Sequence, residues 1–139
     1  MIQQRTPHLN QTLTLVVYMA IVTWLTLLAA SLIRAKGWSR AGTKIALGNR
    51  DNLPEATPLA GRAQRTAANT LENFVLFAAV ALVAEVAGST NPRIGTGAEI
   101  FFWARIAFIP IYYAGIIYLR TAAWLIGIIG LGFMVSALL

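Results

Sequence analysis

Arg62, Arg65, Asn69 and Glu72 follow one another at spacings of three, four and three residues. On an α-helix, at about 100° per residue, they fall within an arc of roughly 80° and form one polar stripe. Asn73 and Glu85 lie off that stripe. Further along, Arg105 and Tyr112 stand seven residues apart, two helical turns, and so share a face. Arg34 and Arg120 flank these segments. Several guanidinium groups with an amide and a phenol as neutral donors suit a small anion that carries carboxylates. Arg65, Asn69, Tyr112 and Arg120 are the donors of such a pocket, with Arg34 joining from the same or a neighbouring subunit. A plainer reading stands beside this one, in which the same groups satisfy one another and hold helices together.

Other chemistry is excluded by what the chain lacks. It has no cysteine, which removes disulfides, thiolate metal sites and a cysteine nucleophile. The one histidine, His8, sits in a polar N-terminal tail and reads as a solvated residue, so no metal site is expected. The net charge of +6 does not point to nucleic acid, because no basic stripe alternates with exposed aromatics. The positive residues cluster beside apolar runs, where anionic lipid headgroups attract them.

The elements that must position these residues are membrane spans. Hydrophobic residues make up 58% of the 139-residue chain and charged residues 12%, with a mean hydropathy of +0.66. A soluble domain carries about 25% charged residues. Four stretches approach the roughly 20 apolar residues that a spanning helix needs: residues 11–33, 58–87, 98–119 and 121–139. The expected fold is therefore all-α, a single four-helix integral membrane domain over residues 1–139, with a loop at 34–57. The first span resembles a signal peptide in having Arg5 before it, but its apolar run is too long and Arg34 and Lys36 follow it as a stop, so it reads as a retained helix. Thr57-Pro58 reads as an N-cap with proline at the first helical position. Pro110 is expected to kink the third span, and Gly127, Gly130 and Gly132 to mark close helix packing in the fourth. Trp38, Trp103 and Trp124 lie near span ends, whereas Trp24 lies mid-span and is expected to pack.

Arg34, Lys36, Arg40, Lys44 and Arg50 all follow the first span, Arg62 and Arg65 enter the second, and Arg120 marks the last turn. The other side has only Arg5 and Arg93. The positive-inside rule places the loop in the cytoplasm and both termini outside it. If Pro58 and Leu119 lie level at the cytoplasmic boundary, the antiparallel second and third spans set Arg65 level with Tyr112, Asn69 with Phe108 and Glu72 with Arg105. That register predicts a buried Glu72–Arg105 ion pair, within or between subunits, because an unpaired charge at membrane depth costs at least about 2.5 kcal/mol.

The segment GRAQRTAANTLENFVLF, residues 61–77, resembles the second-helix signature of the MAPEG family, membrane-associated proteins in eicosanoid and glutathione metabolism. The Arg-x3-Asn-x2-Glu core is its most specific part. The likeness extends to four helices, a basic first loop, an Arg-x6-Tyr pair in the third helix and an arginine opening the fourth. It implies a bacterial-type member, a homotrimer in the inner membrane with helix two near its axis and sites between subunits. It further implies a glutathione-dependent transferase or peroxidase acting on small lipophilic electrophiles. By that resemblance Arg65, Asn69 and Glu72 match the glutathione-binding triplet, Tyr112 the third-helix tyrosine and Arg105 the arginine seven residues before it. Arg34 matches an arginine contributed across the interface. Arg120 matches the catalytic arginine that stabilises the glutathione thiolate, which lowers the thiol pKa electrostatically. Ala68 and Phe108 depart from an arginine and a histidine found in some members. Two other classes remain: a non-catalytic membrane protein on the same scaffold, and a small multidrug transporter. The transporter expects a glutamate in the first span, which has none here.

Overall fold

The computed structural model describes residues 9–139, so Arg5 and His8 lie outside the described residues. Among those residues the chain is all-helical: α1 (Gln11–Ala35), α2 (Arg40–Leu47), α3 (Pro58–Val86), α4 (Pro92–Ala114) and α5 (Ile117–Ser136). Four of the five, α1, α3, α4 and α5, are long and apolar enough to cross a membrane. Together they form an integral membrane helical bundle.

Each helix begins and ends for local reasons. Asn10 caps α1 by accepting from the Leu13 amide, and Thr57 caps α3 by accepting from Ala60, with Pro58 at the first helical position as its sequence predicts. These side chains replace partners that the first turn of any helix lacks. The third span differs from expectation at both ends. It starts at Pro92 under an Asn91 cap and stops at Ala114, because Gly115 takes φ 78°, a left-handed conformation that glycine adopts without a Cβ clash. Helix α4 continues through Pro110. The last span begins correspondingly early, at Ile117. Within the expected loop, α2 is an added helix, capped by Ser39.

Helix α5 packs chiefly on α4, and α1 on α3. The α4–α5 crossing is close: a Cβ on Gly97 would stand 2.5 Å from the Gly130 carbonyl oxygen, and one on Gly130 2.7 Å from that of Gly97. Gly130 was expected at such a contact; its partner Gly97 was not. Gly132, from the same cluster, faces open space. The main apolar core gathers Met19, Phe77, Phe101, Phe102 and Met134, with the Phe77 and Phe101 rings stacked at 4.4 Å. A smaller cluster of Ala30, Ala63 and Ala67 packs with Tyr113. Trp24 does not pack as expected. Within the chain it is 63% exposed, among other exposed apolar side chains of α1.

Candidate functional site

Asn69, Phe108, Tyr112, Arg120, Thr121 and Trp124 line one cavity of about 240 Å³. Three elements build it. Helix α3 supplies Asn69 at the edge of its buried face, α4 supplies Phe108 and Tyr112 one turn apart, and the first turns of α5 supply the rest. The Gly115 turn brings Arg120 back over α4, where its guanidinium lies 4.7 Å from the centre of the Tyr112 ring. That contact orients the cation by the ring's negative face. The lining thus combines a guanidinium, a carboxamide and a phenol with the apolar rings of Phe108 and Trp124.

Beneath it lies Arg105, which is 0% exposed. Its Nη2 donates to Asn69 Oδ1 at 2.9 Å and to Thr70 Oγ1 at 3.3 Å, and its guanidinium lies 4.1 Å from the Phe108 ring centre. Among the described residues its Nε and Nη1 have no hydrogen-bond partner. Because Arg105 occupies the amide oxygen, the NH2 end of Asn69 is the end left to serve the cavity. The site is therefore built of hydrogen-bond donors, as an anion requires.

The expected pairing of Arg105 with Glu72 does not form within one chain. Arg105 turns instead to Asn69 and Thr70, and Glu72 lies on the exposed face of α3. The cause is the helix face: Glu72 is exposed, while Asn69 and Thr70 border the buried side of α3 that Arg105 enters. Asn69 and Phe108, level in the alignment read from sequence, do line one cavity.

The remaining site residues stand elsewhere. Arg65 is exposed, its guanidinium folded back towards Gly61 on the same bare face of α3 as Glu72. Arg62, the first member of the stripe, ties α3 to the end of α4. Arg34 donates to the Pro54 carbonyl oxygen and lines a separate cavity of about 370 Å³ with Arg50, Gln64 and Ala68. Within one chain, then, Asn69, Tyr112 and Arg120 come together over Arg105, while Arg34, Arg65 and Glu72 do not join them. Sequence reasoning missed Thr121 and took Trp124 only as an interfacial residue. Trp124, four residues after Arg120, shares its side of the helix, a signal available in the sequence; Thr121, about 100° round the helix from Arg120, gave none. Thr70 carried no signal, since its hydroxyl is one of many that a helix can satisfy by itself.

Residues 12–139 match the model of a family described as the MAPEG family. No curated protein and no solved structure matches the chain.

Proposed function

The chain belongs to the MAPEG family, and on that premise we propose that it is a membrane-bound, glutathione-dependent transferase or peroxidase acting on lipophilic electrophiles. The observation that carries this reading is the convergence of Asn69, Tyr112 and Arg120 on one cavity at the loop end of the bundle. Glutathione brings its own nucleophile, which suits a chain without cysteine. Arg120 is the catalytic residue: its positive charge offsets the negative charge of the sulfur once the thiol proton has passed to water. Asn69 and Tyr112 donate to the tripeptide and fix its sulfur near Arg120. The apolar rings in the lining, Phe108 and Trp124, offer the second substrate its contact.

A tripeptide with two carboxylates calls for more than one guanidinium, and one chain places only Arg120 on the cavity. The proposal therefore includes a homotrimer with α3 near its axis. Arg65 and Glu72 of that helix then meet the ligand between subunits, and Arg34 reaches it from the neighbouring chain. The loop end faces the cytoplasm and both termini face away, in a bacterial inner membrane.

Calorimetric titration of the detergent-solubilised protein with glutathione, run with S-methylglutathione in parallel, tests the reading. Both should bind, and the thiolate absorbance of bound glutathione should be lost in Arg120→Ala but not in Arg65→Lys. Absence of heat at millimolar ligand removes the proposal. Binding without thiolate or turnover leaves the non-catalytic scaffold as the function.

A further inference from the structure

The extra helix α2 has no part in the cavity described above, yet its orientation is fixed. Gly42 is buried against the end of α1: a Cβ there would stand 2.0 Å from the Lys36 carbonyl oxygen and 2.4 Å from that of Ala35. Ser39 caps the helix through Gly42, and Thr43 Oγ1 donates to the Gly37 carbonyl at 2.9 Å. With Gly42 held inward, Arg40, Lys44 and Leu47, spaced four and three apart, share the outward face. That face joins two cations to apolar surface: Leu47 is 85% exposed and the neighbouring Trp38 73%. Beyond the helix, Lys44 and Arg50 line a cavity of about 320 Å³ with Asn49, Asp51 and Asn52.

The chain leaves the membrane at the end of α1, and α2 starts five residues later, at Arg40. So short a connection holds α2 at the level of the lipid headgroups. There, exposed tryptophan and leucine sit in the interface rather than in water, and cations meet phosphate. We propose that α2 and the turn after it form a binding site for an anionic phospholipid with a hydroxylated headgroup, of the phosphatidylglycerol type. Lys44 and Arg50 take the phosphodiester, and Arg40 adds to the field. Asp51, which would repel a second negative charge, accepts from a headgroup hydroxyl instead. Trp38 and Leu47 settle among the glycerol and upper acyl groups. This site is separate from the cavity under Arg120 and does not depend on glutathione binding.

The test is native mass spectrometry of the whole protein in mild detergent, with short-chain phosphatidylglycerol and phosphatidylcholine competing at equal concentration. The unaltered chain should retain phosphatidylglycerol preferentially, and the preference should fall between about 0.05 and 0.5 M salt as screening shortens. Arg40→Gln with Lys44→Gln should cut it about fivefold for each cation removed. Lys44→Gln alone should cut it about fivefold, and serves where the double variant does not accumulate. Arg93→Gln, at an exposed position on the opposite end of the bundle, should leave the preference unchanged. Equal retention of the two lipids by the unaltered chain overturns the site. So does an unchanged preference in Lys44→Gln, or an equal loss in Arg93→Gln, which would mean attraction by diffuse charge alone.

Discussion

Replacing Asn69 by alanine takes from a buried cation a partner that it cannot replace. Arg105 is 0% exposed, and its bond to Asn69 at 2.9 Å is the shorter of two, the other reaching Thr70 at 3.3 Å. A hydrogen bond to a charged group contributes about 1.5–3 kcal/mol. With Nε and Nη1 already unpartnered, Asn69→Ala should destabilise the protein by about 2–3 kcal/mol. Arg105→Met behaves differently, because it removes the demand together with the charge. It forfeits the contact with the Phe108 ring, about 0.5–2 kcal/mol, and relieves two buried, unpartnered nitrogens that each cost about 1–3 kcal/mol. The net change should be close to neutral, as when a buried charge gives way to a well-packed apolar side chain. In the Arg105→Met background Asn69→Ala should then cost less than about 1 kcal/mol. Unfolding of the four proteins in mild detergent, followed by circular dichroism, yields the coupling energy. A coupling below about 0.5 kcal/mol, the level expected of independent sites, refutes the assigned hydrogen bond. The same cycle run on Glu72→Gln and Arg105→Met should be additive, since the two do not meet within the chain.

Gly97→Ala and Gly130→Ala should each destabilise by about 1–3 kcal/mol through overpacking at the α4–α5 crossing, whereas Gly132→Ala, which meets no atom within 4 Å, should be neutral or stabilising; thermal melts in detergent decide. A reporter active only in the cytoplasm, fused after Leu139, should be silent, and a bright one means that the orientation is reversed. Native mass spectrometry of the mildly solubilised protein should show trimers; monomers or dimers alone would count against the assembly.

The spans were legible because apolar length is nearly a sufficient condition for crossing a bilayer. The start of α3 was legible because Thr57 and Pro58 each have a specific chemical role there. The site was half legible. Asn69, Tyr112 and Arg120 converge because helical periodicity fixes which residues of one helix share a face. Where the third span ends is a different matter: Gly115 ends it, but a glycine flanked by alanine and isoleucine in an apolar run is also compatible with a continuing helix. Within the chain Arg105 meets Asn69 and Thr70 rather than Glu72, because Glu72 lies on the exposed face of α3 and a stripe defined by level alone does not say which of its members turns inward. Helix α2 escaped notice for another reason: eight residues with Gly42 inside and Gly37 and Gly48 on either side read as turn formers. What makes it a helix is the fit of Gly42 against the end of α1, a tertiary contact.

The polar residues of α3 fall into two groups, and the division bears on the assembly. Arg62, Thr66, Asn69 and Asn73 are satisfied by bonds inside the chain or along the helix. Arg65 and Glu72 share a bare face with Gly61, Ala68 and Ala79, small residues over which another helix can approach closely. In the proposed trimer, cyclic symmetry sets identical residues level. The three Arg65 side chains then form one positive ring and the three Glu72 side chains a negative ring about 10 Å deeper, seven residues along the helix. Neither ring can neutralise itself, and at membrane depth each uncompensated charge costs at least about 2.5 kcal/mol. A ligand that carries carboxylates and an ammonium group answers both rings at once, the carboxylates at Arg65 and the ammonium towards Glu72. In the proposed trimer, this pairing of a positive and a negative ring supports the proposed zwitterionic peptide ligand.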